Sequence, residues 1–350
     1  DTVGASDGAL SNRNLIINGA MEVAQRGTSL TGIGNNGGGP FICDRFQHVQ
    51  GSGGGSGVLT MEQSADAADG FGSSLKLTVT TADTLSGGEN VCIRYRSEGR
   101  DGQRLKFGTS SAEKFTVSFW AKASVAGTYS LQIFGPGRSS LSSYTINSAN
   151  TWEYKTVTFN GDTSVALPNT NAAGFEVIWQ LDAGPSDITS AYDWASTGAF
   201  SAVTGQVNFM ANAGNTWQIT GVQLEVGDTA TPFEHRSYSD QLQSCKRYYE
   251  EILSGSAGYL PFGMAWGPNE PRFTMVYSEK RSNPTISVNQ SNDIVSYKAG
   301  SGTQYAWTSF SVDQATKKTA LIYGNAALST TTGYSVQTRA LGPIKIDAEL

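Results

Sequence analysis

The sequence predicts an all-β protein built as two sandwich blocks with one short helix between them. Three observations carry that reading. Glycine supplies 41 of 350 residues, the composition of many short strands joined by tight turns. Runs of four to nine residues alternate apolar and polar side chains, the period of a half-buried strand. Only Ser237–Leu253, SYSDQLQSCKRYYEEIL, places its apolar residues at helical spacing. The length exceeds one ordinary sandwich and suits two domains.

Residues 1–13 are small and polar and read as a linker from an amino-terminal part that precedes them; there is no initiator Met and no signal peptide. Residues 14–236 form the first block. NLIINGAMEVAQRG opens it as β, and the glycine-rich loops Gly32–Gly39 and Gly51–Gly57 flank a strand in PFICDRFQHV. Strands then recur. Leu75, Leu77 and Val79 share a face, as do Val91, Ile93 and Tyr95. Phe115, Val117, Phe119 and Ala121 point inward, with Trp120 and Lys122 opposite. Phe175, Val177, Trp179 and Leu181 form another inward row. In NTWQITGVQLEVGD the apolar phase flips between Ile219 and Val222, which predicts a bulge at Gly221. TATPFEHR follows as a short extended crossing.

Residues 237–254 are the connecting helix. Ser237 with Asp240 three residues on approximates a capping box, and Ser254 and Gly255 stop the helix. Tyr238, Leu242, Cys245, Tyr249 and Ile252 follow one another at steps of four, three, four and three, a seam of period 3.5. That stripe packs either on its own chain's sheet or against other copies of the chain. Residues 255–350 are a smaller β block, ending in a strand at Leu350.

Several function classes are excluded or weakened at once. The net charge of −6 comes without a basic stripe, so no nucleic-acid groove is expected. No run of 18 apolar residues is present, so no membrane-inserted helix is expected. Three widely spaced cysteines, Cys43, Cys92 and Cys245, read as buried free thiols, with a Cys43–Cys92 bridge the alternative. HExxH, GxSxG and paired-cysteine motifs are absent. His235 reads as a locally hydrogen-bonded turn residue. Asp182, Asp187 and Asp193 cluster in LDAGPSDITSAYDW, and as loop carboxylates they read as solvated rather than catalytic. Glu22 and Glu225 are candidate ligands for a structural calcium tying first and last strands together; no other cofactor is called for.

Aromatic residues are the strongest functional signal. Sugar rings stack their C–H faces on aromatic planes, with polar neighbours holding the hydroxyls. Trp179 shares a face with core residues and reads as core. Trp120, Trp152, Tyr154 and Trp194 in the first block, and Trp266, Tyr305 and Trp307 in the second, are the candidate glycan-binding residues.

NLIINGAMEVAQRGTS, DRF, FTVSFWAKAS, TWEYKTVTFNGDT and ITGVQLEVGDTATPFEHRSYSDQLQSCKRYYE occur in that order. Across Asn14–Glu250 this series resembles the distal part of tail-fibre and related virion proteins of tailed bacteriophages. The resemblance implies a jelly roll like a carbohydrate-binding module in the first block and a carboxy-terminal knob in the second. It implies a virion location, a homotrimer, host-surface glycan as partner, and attachment to other virion proteins through an amino-terminal region. It carries no catalytic residues. Glu22 departs from the Gln expected in many relatives. A structural capsid fibre or decoration protein, and a polysaccharide-degrading tailspike, are the alternatives.

Overall fold

The alternating runs become strands, and their inward rows become one core. The computed structural model describes residues 12–34, 39–51, 55–196, 200–253, 257–298, 302–330 and 333–350. Residues 1–11 of the expected linker, parts of both glycine-rich loops, and Ser254 and Gly255 lie outside the described residues. The chain divides into two units, Asp1–Gln241 with Leu350, and Leu242–Glu349, so the division falls inside the helix.

The first unit is a jelly-roll sandwich. In chain order its strands are β1 (Ser29–Ile33), β2 (Phe46–Gly51), β3 (Val58–Ser64), β4 (Ser74–Thr81), β5 (Asn90–Glu98), β6 (Phe115–Ala123), β7 (Gly127–Gly135), β8 (Arg138–Ile146), β9 (Glu153–Phe159), β10 (Ala173–Ala183), β11 (Ile188–Thr189), β12 (Tyr192–Ala195), β13 (Ala202–Val203) and β14 (Thr216–Val226). One six-stranded sheet has the order β1-β3-β4-β14-β6-β9 and the other β12-β8-β7-β10-β5-β2. Between them lies a single apolar cluster that includes Leu75, Leu77, Phe115, Phe119, Trp217 and Ile219 from the first sheet and Phe46, Ile93, Tyr95, Leu131, Val177 and Trp179 from the second. Burying side chains of this size contributes about 1.5–3 kcal/mol each, which is why the period of two dictates the sandwich.

The bulge forms at Gly221. Its φ is +62°, and the register of β14 against β6 shifts between Thr220 and Gln223. Ile219 and Val222 are both fully buried as a result. The bulge also changes partners. Thr216–Ile219 pair with β4; beyond the bulge, Val222 N donates to Gly19 O and Leu15 N to Leu224 O. A Cβ at Gly221 would stand 2.6 Å from the Phe71 ring, so that ring rests on bare backbone.

NLIINGAMEV is not the strand the sequence suggests. Asn18 is left-handed at φ +61°, and its amide takes the place of a ladder: Val23 N donates to its Oδ1, and its Nδ2 donates to Val23 O and Asp44 O. Asn14 does the same beside β14, accepting from Leu224 N and donating to Val222 O. Leu15, Ile16, Met21 and Val23 are buried nonetheless.

Helix α1 (Tyr238–Lys246) is nine residues, shorter than the expected span to Leu253. After a turn at Arg247 and Tyr248 the chain enters the second unit's strands: β15 (Tyr249–Ile252), β16 (Gly258–Tyr259), β17 (Gly263–Gly267), β18 (Glu270–Val276), β19 (Thr285–Val288), β20 (Ile294–Lys298), β21 (Gln304–Ala306), β22 (Ser311–Ala315), β23 (Thr319–Tyr323), β24 (Ser335–Ala340) and β25 (Ile344–Asp347). The 3.5-residue seam is therefore not one helical stripe. Tyr238 is exposed, Leu242 half-buried and Cys245 buried on α1, while Tyr249 and Ile252 belong to β15 and pair with Asp347 and Ile344. Pairing with β25 overrides the helical pattern because it satisfies the backbone and seats Ile252 against the second core. The last strand stops at Asp347 rather than at Leu350.

A three-stranded sheet, β15-β25-β19, shares the second core with an eight-stranded one, Ile344 and Ile346 meeting Phe273, Ile322 and Trp307. Trp307 is thus core, 1% exposed, its Nε1 donating to Ser296 Oγ. Burial of the whole indole removes it from the candidate ligand-binding set. Fully buried Lys280 donates to Glu250, at 2.9 Å, and to Lys246 O at the end of α1. Burial drives the Lys280 amine below its ordinary range; the hydrogen bond and the nearby carboxylate oppose that. All three cysteines are buried free thiols.

Two predictions test this architecture. Gly221→Ala should destabilise the first unit by about 2–4 kcal/mol in chemical denaturation, combining the left-handed strain with the clash on Phe71. Gly137→Ala, at φ +72° with open space around it, should cost only about 1 kcal/mol; equal losses would mean that Phe71 plays no part. The second concerns His48, whose buried imidazole has no hydrogen-bond partner at either nitrogen among the described residues and is pushed down from 6.5 to about 4 by burial. Below pH 6.5 the unfolded chain takes up a proton that the folded chain refuses. Stability present in full above pH 6.5 is then lost as pH falls toward 4, by about 3 kcal/mol for the full shift. Asp182, raised to about 6 chiefly by burial, acts in the opposite sense as pH falls from 6. Comparing wild type with His48→Leu isolates the histidine: the variant's stability between pH 7 and 4.5 should fall less, and parallel curves would contradict the assignment.

Candidate aromatic binding site

The two outer faces of the first sandwich differ. The second sheet is covered by its own chain: Val203 N donates to Ser130 Oγ, Ser201 N to Gln132 Oε1, and Phe200 packs edge-on against Phe134. A concave region of about 350 Å³ remains there, but Arg94 within it is already held by Gln47 and Glu176. On the first sheet, β6 and β9 present Trp120 and Tyr154 outward as directly opposed residues. Their rings lie 5.4 Å apart at 50°.

Opposite this pair stands a wall that the sequence did not reveal as a site. Phe71 sits over Gly221, and Phe233 and His235 pack around it, with ring separations of 5.0 Å for Phe71–Phe233, 5.3 Å for Phe71–His235 and 4.9 Å for Phe233–His235. These rings, with Trp120 and Tyr154, border an open pocket of about 430 Å³, lined also by Ser118, Thr231 and Pro232. His235 is exposed and makes ring contacts instead of the local hydrogen bond expected of it. The phase change at Gly221 and the closely spaced Phe233 and His235 were the available signals.

Residues 230–236 are no free crossing. Glu225 Oε1 accepts from Thr231 N and Gln223 Nε2, both at 2.8 Å, and Oε2 accepts from Thr231 Oγ1 at 2.7 Å. Glu234 N donates to Gln223 Oε1, and Asn14 N donates to Glu234 Oε2. Burial alone would raise the Glu234 pKa; the hydrogen bonds from Asn14 and Asn12 and the Arg236 charge hold it below the usual range. These bonds fix Phe233 and His235 relative to β14. They also surround the Glu225 carboxylate with protein donors, with Arg13 standing 3.8 Å away. Glu22 is half-buried, and no group of three or more metal-ligating side chains occurs among the described residues.

The other candidates scatter. Trp152 extends the first-sheet face: its Nε1 donates to Asp66 at 3.1 Å, and Lys122, which also donates to Asp66, stands 5.9 Å from its ring. Burial would raise the Asp66 pKa, but hydrogen bonds from Lys122, Trp152 and Gln218 hold it low. Trp194 packs edge-on against Phe107 and donates to Asn160 O, so it serves the sandwich end. Trp266 is exposed in the second unit beneath Arg272, 4.9 Å from its ring, and Tyr305 is half-buried with Lys298 at 5.5 Å. Asp182 is buried at the end of β10 rather than solvated, accepting from Ala183 N and Met210 N.

Of the expected residues, the fold brings Trp120 and Tyr154 together in one pocket. Trp120 Nε1, the Tyr154 hydroxyl and the His235 ring nitrogens hydrogen-bond to no described residue and stay available. An apolar wall with a few polar tips at its mouth suits a small ring that is apolar on one face and hydroxylated at its edge.

No protein-family model matches the chain, and no curated protein matches it in sequence. Among solved structures it is similar to the enzymatically active domain of tailspike protein 4 of bacteriophage CBA120, with 11% identity and a TM-score of 0.33 over 61% of this chain and 22% of that one. It is similar to TmCBM61 in complex with β-1,4-galactotriose, with 10% identity and a TM-score of 0.30 over 62% of this chain and all of that one. It is also similar to a family 11 carbohydrate-binding module from Clostridium thermocellum in complex with a mixed-linked tetrasaccharide, with 11% identity and a TM-score of 0.27 over 60% and 99% of the two chains. Overlaps this partial assign no activity.

Proposed function

We propose that this chain is a non-catalytic component of a phage tail fibre that attaches the virion to host-surface glycan through the Trp120–Tyr154 pocket. The observation that carries the glycan reading is the pocket itself, an aromatic platform on the open face of the first sheet with unpartnered polar tips. The motif series across Asn14–Glu250 supports the phage reading. A homotrimer is part of the proposal, because three pockets on one fibre turn weak single-site affinity into avidity.

One observation favours a hydrolytic second reading. Asp83 and Asp182 line a 230 Å³ pocket at the sandwich end, and burial with the Asp83 charge raises Asp182 to about 6. Both Asp182 oxygens, however, accept backbone N–H groups that pin neighbouring segments. Incubation with host polysaccharide should release no reducing ends; release abolished by Asp182→Asn would establish the hydrolase instead.

The binding test uses host polysaccharide and the full chain. Trp120→Ala should weaken binding by roughly tenfold or more, the loss of about 1.5 kcal/mol or more of stacked apolar surface, with unchanged thermal stability. Trp266→Ala, which removes the exposed ring of the second unit, should leave it within about twofold. Wild-type protein that binds neither host cells nor their polysaccharide would sink the proposal. Mass measurement should give three chains, and a monomer at micromolar concentration would remove the trimer.

A further inference from the structure

The pocket has two chemically different ends. At one, Trp120 and Tyr154 offer ring faces with a free N–H and a free hydroxyl. At the other, Phe71, Phe233 and Pro232 offer only carbon, and Pro232 has no backbone N–H to give. His235 lies against both phenyl rings. A sugar that stacks on Trp120 directs one ring substituent toward the phenyl wall. A hydroxyl turned onto the Phe71 and Phe233 faces gains no hydrogen bond from them, the His235 ring being the polar group beside them, and gives up part of its hydration. A methyl group gains from the same surface.

We infer that the pocket selects a sugar residue bearing a methyl-ended substituent, its ring on Trp120 and Tyr154 and its methyl against Phe71 and Phe233. This rests on the glycan reading above and narrows it. The shared chemistry is the methyl; a 6-deoxy sugar and an N-acetylated sugar are its two sources. The wall is built for the purpose in a physical sense. The Phe71 ring occupies the space that any Cβ at Gly221 would fill, and Phe233 is held through Glu225 and Gln223, so the apolar end is rigid before a ligand arrives.

The test is a titration of the full chain, followed by Trp fluorescence and NMR, with free monosaccharides of gluco, galacto and manno configuration. Each is used in three forms: parent, 6-deoxy and 2-acetamido. In the configuration that binds, one methyl-bearing form should bind roughly tenfold or more tightly than its parent, and which one identifies the source. Phe233→Tyr, which places a hydroxyl in the apolar end, should shrink that ratio toward one; Phe71→Leu, which keeps the end apolar, should preserve most of it. Trp120→Ala should weaken all forms together. Equal binding of parent and methyl-bearing forms would overturn the selection and leave the glycan reading standing. Binding of none of the nine, together with no retention on host polysaccharide, would overturn both.

Discussion

The left-handed glycine at 221 is the constraint on which the first unit depends. One extra residue in β14 would ordinarily throw every later side chain onto the wrong face. Here it keeps Ile219 and Val222 in the same core. It also lets β14 leave β4 and take up Gly19 and Leu15 as backbone partners. And it leaves a bare patch of backbone on the outer face, where Phe71 settles. Core phase, strand pairing and the pocket wall are therefore consequences of a single φ of +62°. Neither Ala nor a β-branched residue reproduces them, because each adds a Cβ in a conformation that disfavours one and at a place already filled.

Much of the sandwich was legible because its signal is local. Leu75, Leu77 and Val79, or Phe115, Val117 and Phe119, declare their face without knowing their partners. The Gly221 bulge was legible for the same reason. What failed depends on distant partners. Tyr249 and Ile252 complete a helical spacing by coincidence, and only pairing with β25, almost a hundred residues on, makes them strand. Asn14 and Asn18 lie in a stretch rich enough in apolar residues to read as β, yet their amides replace the ladder. Trp307 was named for its aromatic neighbours in the sequence and is core, because it lies between β21 and β22 with its ring near Phe273. Of the site, Trp120 and Tyr154 were readable by parity. Phe71, Phe233 and His235 were not, since two segments far apart in sequence build that wall.

Polar groups decide how firmly these parts are held. Glu225, Gln223 and Thr231 join the segment after β14 back onto β14 itself, and Glu234 ties the same segment to Asn12 and Asn14. In the second unit Lys280 and Glu250 do comparable work, with Ser278 completing the carboxylate. Removing one partner of such a buried pair leaves a charge without compensation, a larger loss than the pair's own net contribution. These contacts specify geometry more than they add stability.

That division of labour bears on how the pocket works. Trp120 and Tyr154 stand on paired strands, so their spacing is set by the sheet and by the core beneath it. Phe233 and His235 stand on a connecting segment held by hydrogen bonds, and Phe71 on another. The platform's spacing is therefore fixed by the strands that carry it. The wall can change residue by residue at little cost to the fold, provided that position 221 stays glycine. A binding protein that must keep its scaffold while its ligand's substituents vary is well served by that arrangement. Under the proposed glycan reading, recognition of the ring belongs to the strands, and discrimination among substituents to the segments that face them.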